Sequence, residues 1–308
     1  MAFSESDIPD LSGKIAIVTG GNSGIGLQTA KVLARRNAHV YLACRTREKY
    51  EAALSEIHRM NPGIPTANIC FLELDLSSLA RAKRGADRFT AQEKDLHILY
   101  NTAGVMGTPK GKVSSDGYEY IFAVNTLALF VFTQALLPTL ESTASSSPPG
   151  TVRIINTASS GAGQASRAGI PLHDPTIGAG MSPFQCYGHS KIGVVLLTRQ
   201  FAKRHPHILS FAPHPGPVQS NLIRELRIPG PVLWVLNRIV FKPVSYGALT
   251  QLYAGTAPSL TGKENGSYMV PLAKIGSKLP HPQCSDDAFG DQLWEWCKNE
   301  MKKLGVGI

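Results

Sequence analysis

Cysteine is scarce in this chain: 308 residues hold five, Cys44, Cys70, Cys186, Cys284 and Cys297, and no two form a CxxC pair. Thiols so few, and odd in number, exclude a disulfide scaffold and a zinc-thiolate centre. No metal site is expected, and a reducing compartment is. Charge is also thin at 17% of residues, whereas 43% are hydrophobic, which excludes wholesale disorder. The 29 glycines and 21 prolines are too dispersed for a fibrous repeat. The opening segment MAFSESDIPDLSGK has no apolar stretch, so no secretory signal is expected there.

One apolar run, residues 121–138 (IFAVNTLALFVFTQALLP), is about long enough to span a bilayer. Asn125, Thr126, Thr133 and Gln134 interrupt it, and no basic residue flanks it closely. It reads as a helix buried on nearly all sides, which makes a soluble, cytoplasmic protein without a transmembrane segment the expectation. What charge there is leans basic, with 31 Lys and Arg against 22 Asp and Glu, a net +9. That excess raises nucleic acid as a partner, but no recognition motif accompanies it, and no nucleic-acid partner is expected.

At this length either two domains or one large α/β domain fits. Short β-branched runs alternate with longer helical patterns, which implies a parallel sheet covered on both faces. Strands are expected at residues 15–19, 39–43, 68–73, 96–100, 151–157 and 207–212, with a last short one at 266–270 closing the sheet. Between them, helices run to about Arg36 and Met60, from a Ser77 cap to about Gln92, and over 184–203. Residues 141–150 (ESTASSSPPG) read as a surface loop, and 286–304 as a C-terminal helix. The fold class is therefore α/β: a single doubly wound parallel sheet of Rossmann type, in one domain over 1–308. A substrate lid follows strand six at about 214–242, and a C-terminal helical extension covers about 271–308. Long connections such as 160–183 and 214–242 are often lids or binding loops.

The turn after strand one reads Thr19-Gly20-Gly21-Asn22-Ser23-Gly24-Ile25-Gly26. Glycines let backbone approach a ligand closely, and the helix that follows turns unpaired N–H groups and the positive end of its dipole toward an anion. A pyrophosphate fits there. The spacing is GxxxGxG rather than GxGxxG, so its place after strand one carries the argument. After strand two, where a carboxylate would bond a ribose 2′-hydroxyl, the chain has Ala43-Cys44-Arg45-Thr46. Arg45 can grip a 2′-phosphate bidentately, and residues 31–49 hold six Lys or Arg against the single Glu48. NADP is favoured over NAD; the plainer alternative is that Arg45 only begins a solvated helix.

Tyr187-Gly188-His189-Ser190-Lys191 opens a helical segment, and residues four apart share one helix face. An ammonium beside a phenol favours the phenolate and moves its pKa toward working pH, as acid/base chemistry requires. Such a pair arises easily by chance, so its context matters. Ser159 lies just past strand five, at the carboxyl edge where open α/β sheets bind ligands. Asn101-Thr102-Ala103-Gly104 follows strand four at the same edge. Asn125 lies within the apolar helix, where a buried amide needs partners or a task.

Together these residues resemble the short-chain dehydrogenase/reductase family over about residues 12–270, in its single-domain form. TGGNSGIG matches the family's TGxxxGIG turn, NTAG matches NNAG with one change, and YGHSK matches YxxxK. HPGPVQS (214–220) is similar to the PGxVxT segment, with Ser220 in place of threonine. The resemblance implies Tyr187 as general acid/base and Lys191 as the group that lowers its pKa and holds the nicotinamide ribose. Ser159 would orient the substrate and Asn125 would hold a relay water. It implies cofactor contacts at Gly20, Asn22, Ser23, Gly24, Ile25, Gly26, Asp75 (adenine), Asn101, Ala103, Gly104, Pro215, Gly216, Val218 and Ser220. Retinol-dehydrogenase-like and fungal reductase branches look nearest, and they favour NADP and hydrophobic substrates. Membrane retinol dehydrogenases carry an N-terminal anchor, and none precedes Ile15. The expectation is thus a soluble NADP-dependent reductase of a lipophilic ketone or aldehyde, in secondary metabolism, with the helices of Asn125 and Tyr187 able to pair two copies.

Residues 228–241 (IPGPVLWVLNRIVF) would wall an apolar substrate pocket; Trp234 and Arg238 also suit a membrane surface, leaving peripheral contact open. His189 and His214 read as core or surface residues, Met106 and Met181 as gap fillers. A non-catalytic NADP-sensing protein is the rival function, although a sensor has no need of Ser159, Tyr187 and Lys191 together. An epimerase or dehydratase relative would carry GxxGxxG at the cofactor turn.

Overall fold

The computed structural model of the chain describes residues 3–174, 176–219 and 240–307. Eight strands form one sheet: β1 (Ile15–Thr19), β2 (His39–Cys44), β3 (Ile69–Glu73), β4 (Ile98–Asn101), β5 (Arg153–Asn156), β6 (Leu209–Pro213), β7 (Tyr268–Val270) and β8 (Lys274–Ile275). Their order is β3-β2-β1-β4-β5-β6-β7-β8. All neighbours pair in parallel except β7 and β8. Ile17 pairs with Tyr41 on one side and Leu99 on the other. The chain winds outward from β1 to β3, then returns to place β4 on the other side of β1. That reversal opens a crevice at the carboxyl ends of β1 and β4, where ligands bind in such sheets.

Both faces are covered, which is why the strands are almost continuously apolar. One face carries α1 (Gly24–Arg35), α2 (Arg47–Met60) and α6 (Val244–Thr256). The other carries α3 (Leu79–Thr90), α4 (Tyr120–Ser145), α5 (Pro183–Arg204) and α7 (Asp287–Lys303). Helix α4 is apolar and long enough to cross a membrane, but 83% of its most apolar stretch is buried in the protein. It is a core helix, as its interrupting polar residues imply.

Several boundaries differ from the sequence reading. Ser78, not Ser77, caps α3, because the Ser77 amide is taken by Asp75 while the Ser78 hydroxyl accepts from Arg81. Helix α4 continues through Pro138 to Ser145, absorbing half of the expected loop 141–150. Thr143 and Ser145 hydroxyls donate back to the carbonyls of Thr139 and Glu141, and Thr143 Oγ1 accepts the Leu96 amide. Those local bonds explain how a Ser/Thr-rich tail stays helical. Nor does β7 close the sheet: β8 adds antiparallel beyond it, with Val270 opposite Lys274. The 271–308 extension therefore begins as strand before it becomes helix.

Helix α7 lies over α4 and α5. Trp294 meets Phe130 and Phe201 edge-on at 5.0 and 4.9 Å, while Trp296 meets Tyr118 and Phe122. The buried Glu300 carboxylate accepts the Tyr118 hydroxyl at 2.5 Å, and Arg199 and Lys203 pair with Asp287 and Asp291 at the rim.

Candidate active site

The turn between β1 and α1 is shaped by close approach. Gly20 has φ 65° and Gly24 φ 55°, values that L side chains rarely adopt. A Cβ at Gly26 would stand 2.4 Å from the Gly20 carbonyl oxygen, so only glycine lets α1 start there. The Gly20 amide donates to Ala43 O, tying the turn to the end of β2. Thr19 Oγ1 accepts the amides of Thr102 and Ala103, both at 2.9 Å, and so fixes the exit of β4 beside the turn. Ser23 precedes α1 without using its side chain as a cap, and no acid occupies the first turn. The helix N-terminus thus keeps its N–H groups and positive dipole for an anion.

This turn forms one end of a groove of about 890 Å3 along the carboxyl edge of the sheet. Gly20, Asn22, Ser23, Gly24, Ile25 and Gly26 line it together with Arg45, Asp75, Ala103, Gly104, Ser159, Tyr187, Lys191, Pro215, Gly216 and Val218. Arg45 is exposed on its rim and has no ion pair among the described residues. The neighbouring Arg47 is diverted onto the Phe71 ring, 4.8 Å from its centre. Burial alone would raise the Asp75 carboxyl, but hydrogen bonds from Arg81 and Ser77 outweigh it and hold the group below the ordinary carboxylate range.

The other end carries the hydroxyls and the amine. Ser159 follows β5 and caps a tight turn, its Oγ accepting the Gly161 amide at 3.0 Å. Ser182 and Gln185 form a capping box at the start of α5, which places Tyr187 and Lys191 on the first two turns. Lys191 Nζ donates to the Thr157 carbonyl at 2.7 Å and lies 5.7 Å from the centre of the Tyr187 ring. Tyr187 is 5% exposed. Burial pushes its phenol up, and a hydrogen bond with Ser159 opposes that rise. Burial also lowers the Lys191 ammonium to about 8. Desolvation, not the ammonium, thus dominates the phenol.

Two expected residues stand behind the groove wall. Asn125 is fully buried in a π-helical turn, Ala123–Leu127, of α4. Its Oδ1 accepts the Val105 amide at 2.8 Å, and its Nδ2 donates to Val105 O and to Ser190 Oγ. It therefore splints the segment after β4 to the helix that carries Tyr187 and Lys191. The Asn101 amide donates to Thr133 Oγ1 and Asn156 Oδ1, away from the groove. Ser220 and most of the expected lid, 220–239, lie outside the described residues. Of the lid, Phe241 lines the groove, and Val218 bridges to Lys242.

Other contributors escaped the sequence reading. The Thr157 carbonyl that holds Lys191 is backbone and leaves no side-chain signature. Gln251 of α6 links Thr157, Thr29 and Thr102 beneath the groove. Asp116 and Glu119 cap α3 and α4 by accepting the amides of Leu79 and of Ile121 and Phe122. An acid just ahead of an apolar helix was the available signal for Glu119. His214 also lines the groove.

A glycine-lined anion cradle joined through one groove to a Ser–Tyr–Lys group is the arrangement expected of a dinucleotide-dependent oxidoreductase. Comparison with known proteins agrees: the short chain dehydrogenase family matches residues 14–173. The chain is 37% identical over 302 residues to a short-chain dehydrogenase/reductase of Armillaria gallica, covering 97% of this chain and 94% of that one. It is 39% identical to an uncharacterized oxidoreductase of Schizosaccharomyces pombe, over 97% and 88% of the two chains. The chain belongs to the short-chain dehydrogenase/reductase family, whose members use nicotinamide cofactors. Among solved structures it resembles an uncharacterized Mycobacterium paratuberculosis protein, with TM-score 0.73, 25% identity and 98% coverage of each chain. It also resembles the Pseudomonas aeruginosa RhlG/NADP active-site complex, with TM-score 0.65 and 27% identity over 85% of this chain and 95% of that one.

Proposed function

We propose that the chain is an NADP(H)-dependent enzyme that interconverts a carbonyl and an alcohol on a hydrophobic small molecule. The observation that carries the reading is the convergence of Ser159, Tyr187 and Lys191 on the groove that begins at the glycine cradle and passes Arg45. The residues present fit a dinucleotide, because the N-terminus of α1 opens on the groove at the glycine turn with no side-chain cap from Ser23 and no acid in its first turn. Arg45, with Lys49 nearby in the groove wall, would grip a ribose 2′-phosphate by charge-assisted hydrogen bonds. The NADP complex of the Pseudomonas aeruginosa relative supports that cofactor.

When bound, the nicotinamide would supply or accept a hydride at carbon. The chain's own residues handle the oxygen. Ser159 Oγ donates to the substrate carbonyl and orients it. Burial keeps Tyr187 protonated at neutral pH, so its Oη holds a proton to deliver as negative charge develops on that oxygen. Lys191 Nζ, anchored on the Thr157 carbonyl, stabilises the phenolate left behind. Asn125 braces the wall between them through Val105 and Ser190. In the oxidising direction the same groups work in reverse. Val105, Met106, Tyr120, Val124 and Phe241 add apolar lining, which suits a lipophilic ketone or aldehyde.

All of these parts hang on one sheet, which supports a single catalytic domain. A cytoplasmic enzyme of secondary metabolism fits the same reading. Two copies pairing through α4 and α5 would have to use the surface that α7 leaves uncovered. The deciding experiment is Tyr187→Phe: turnover of carbonyl substrates with NADPH is expected to vanish while NADPH binding persists. A comparable rate in the variant would overturn the assignment of Tyr187, whereas a native chain that binds NADPH and turns over no carbonyl substrate would leave the NADP-sensing alternative.

A further inference from the structure

His214 stands where β6 ends, and its backbone amide donates to Met269 O at 2.7 Å. Its imidazole Nδ1 accepts two backbone amides at once. One comes from Ser160, in the loop that carries Ser159; the other comes from Gly216, in the loop after β6; both are at 3.3 Å. Backbone N–H groups can only donate, so Nδ1 must present its lone pair and the ring proton must sit on Nε2. The ring lies parallel to Tyr268, tilted by 9° at 6.4 Å between centres. That contact leaves it little freedom to rotate off its two donors.

We propose that His214 is a positioning residue: its Nδ1 clamps the Ser159 loop to the Pro215–Gly216 loop and sets the substrate-orienting hydroxyl against the cofactor's edge of the groove. The proposal rests on the functional reading above and adds a residue to it. Without the clamp, the Ala158 amide to Pro213 carbonyl bond is the backbone tie that joins the bases of the two loops among the described residues. The clamp adds a second tie between them, at the point where hydride and proton must reach neighbouring atoms. A displacement on the order of 1 Å there is costly to rate. A role in carrying protons does not suit the ring. Burial, reinforced by the Lys191 charge, pushes its pKa down to about 4, so it stays a neutral acceptor throughout the working range.

Three variants of the full chain test this. His214→Asn keeps an acceptor, Oδ1, at the place of Nδ1. His214→Leu removes it, and His214→Gln displaces it outward and serves in place of the leucine variant if that one does not fold. The direct readout is amide hydrogen exchange at Ser160 and Gly216. The acceptor-less variant is expected to lose about tenfold protection at both amides together, with the asparagine variant near the native value. NADPH affinity, from fluorescence of the reduced nicotinamide, is expected to weaken several-fold in the leucine variant. In reduction of 4-nitrobenzaldehyde, kcat is expected to fall more than KM in that variant, and the pH profile of the asparagine variant is expected to match the native one.

Unchanged exchange in His214→Leu would overturn the clamp, as would an asparagine variant no better than leucine. A profile that loses a limb in His214→Asn would also overturn it, by making the imidazole a proton carrier. Tyr187→Phe run beside them separates the two ideas. If that variant turns over normally the catalytic reading fails, while exchange at Ser160 and Gly216 still decides what His214 does.

Discussion

On the proposed mechanism, the ammonium of Lys191 sets the pH limit of the reductive reaction. Burial lowers it to about 8 from an ordinary value of 10.5, while burial raises the Tyr187 phenol above its ordinary 10. Reduction requires a protonated phenol and a charged ammonium, so the first group lost as pH rises is Lys191. A group titrating at about 8 is roughly 90% charged at pH 7 and roughly 10% charged at pH 9. The pH profile of kcat/KM for carbonyl reduction, which reports free-enzyme groups, is therefore expected to fall about tenfold between pH 7 and 9. Initial rates of NADPH consumption across buffers of constant ionic strength measure it. Lys191→Arg, charged at every working pH, is expected to lose the descending limb whatever its absolute rate. A native profile that stays flat to pH 10 would refute the reasoning.

The same shift has a stability consequence of defined sign. Because the folded-state pKa is depressed, the cost of burying the ammonium is present in full below pH 8. It amounts to about 3 kcal/mol from the 2.5-unit difference, and it fades between pH 8 and 10.5. Lys191→Met should thus fold no less well than the native chain at pH 7, even though the Thr157 carbonyl loses its donor. The site keeps a group that is costly to the fold because the chemistry needs it.

Further outcomes follow from other contacts. Arg45→Asp is expected to weaken NADPH by about tenfold or more while sparing NADH, read as the ratio of kcat/KM for the two cofactors; an unchanged ratio would exclude the phosphate grip. Tyr100 is wholly buried with no partner for its hydroxyl among the described residues, so Tyr100→Phe is expected to stabilise the chain by about 1 kcal/mol in urea melts. Trp294→Ala strips α7 of its contacts with Phe130 and Phe201 and is expected to cost about 3–5 kcal/mol.

What could be read in advance follows from which interactions are local. The parallel strands announce themselves because two-sided burial demands unbroken apolar runs such as Ile15–Thr19. The glycine turn, Ser159 and the Tyr187/Lys191 pair are legible because backbone approach and helix periodicity fix their residue types. Tertiary acceptors were not. Nothing local announces that the Asn101 amide goes to Thr133 and Asn156, or that the Asn125 amide goes to Val105 and Ser190. The splinting by Gln251 joins residues up to 222 positions apart, beyond any local pattern. The tail of α4 was misread because Ser and Thr there satisfy their own helix rather than break it.

The covering of α4 by α7 imposes an order in time. The Tyr118 hydroxyl and the Glu300 carboxylate that accepts it are 182 residues apart. A ribosome adding about 5–20 residues per second makes the first partner roughly 9–36 s before the second. Throughout that interval the apolar face of a membrane-length helix has no lid of its own. A nascent chain thus leaves that face without its α7 cover until synthesis is nearly done. A late stop codon would therefore do more harm to the yield of folded protein than the distance of α7 from the catalytic groove suggests.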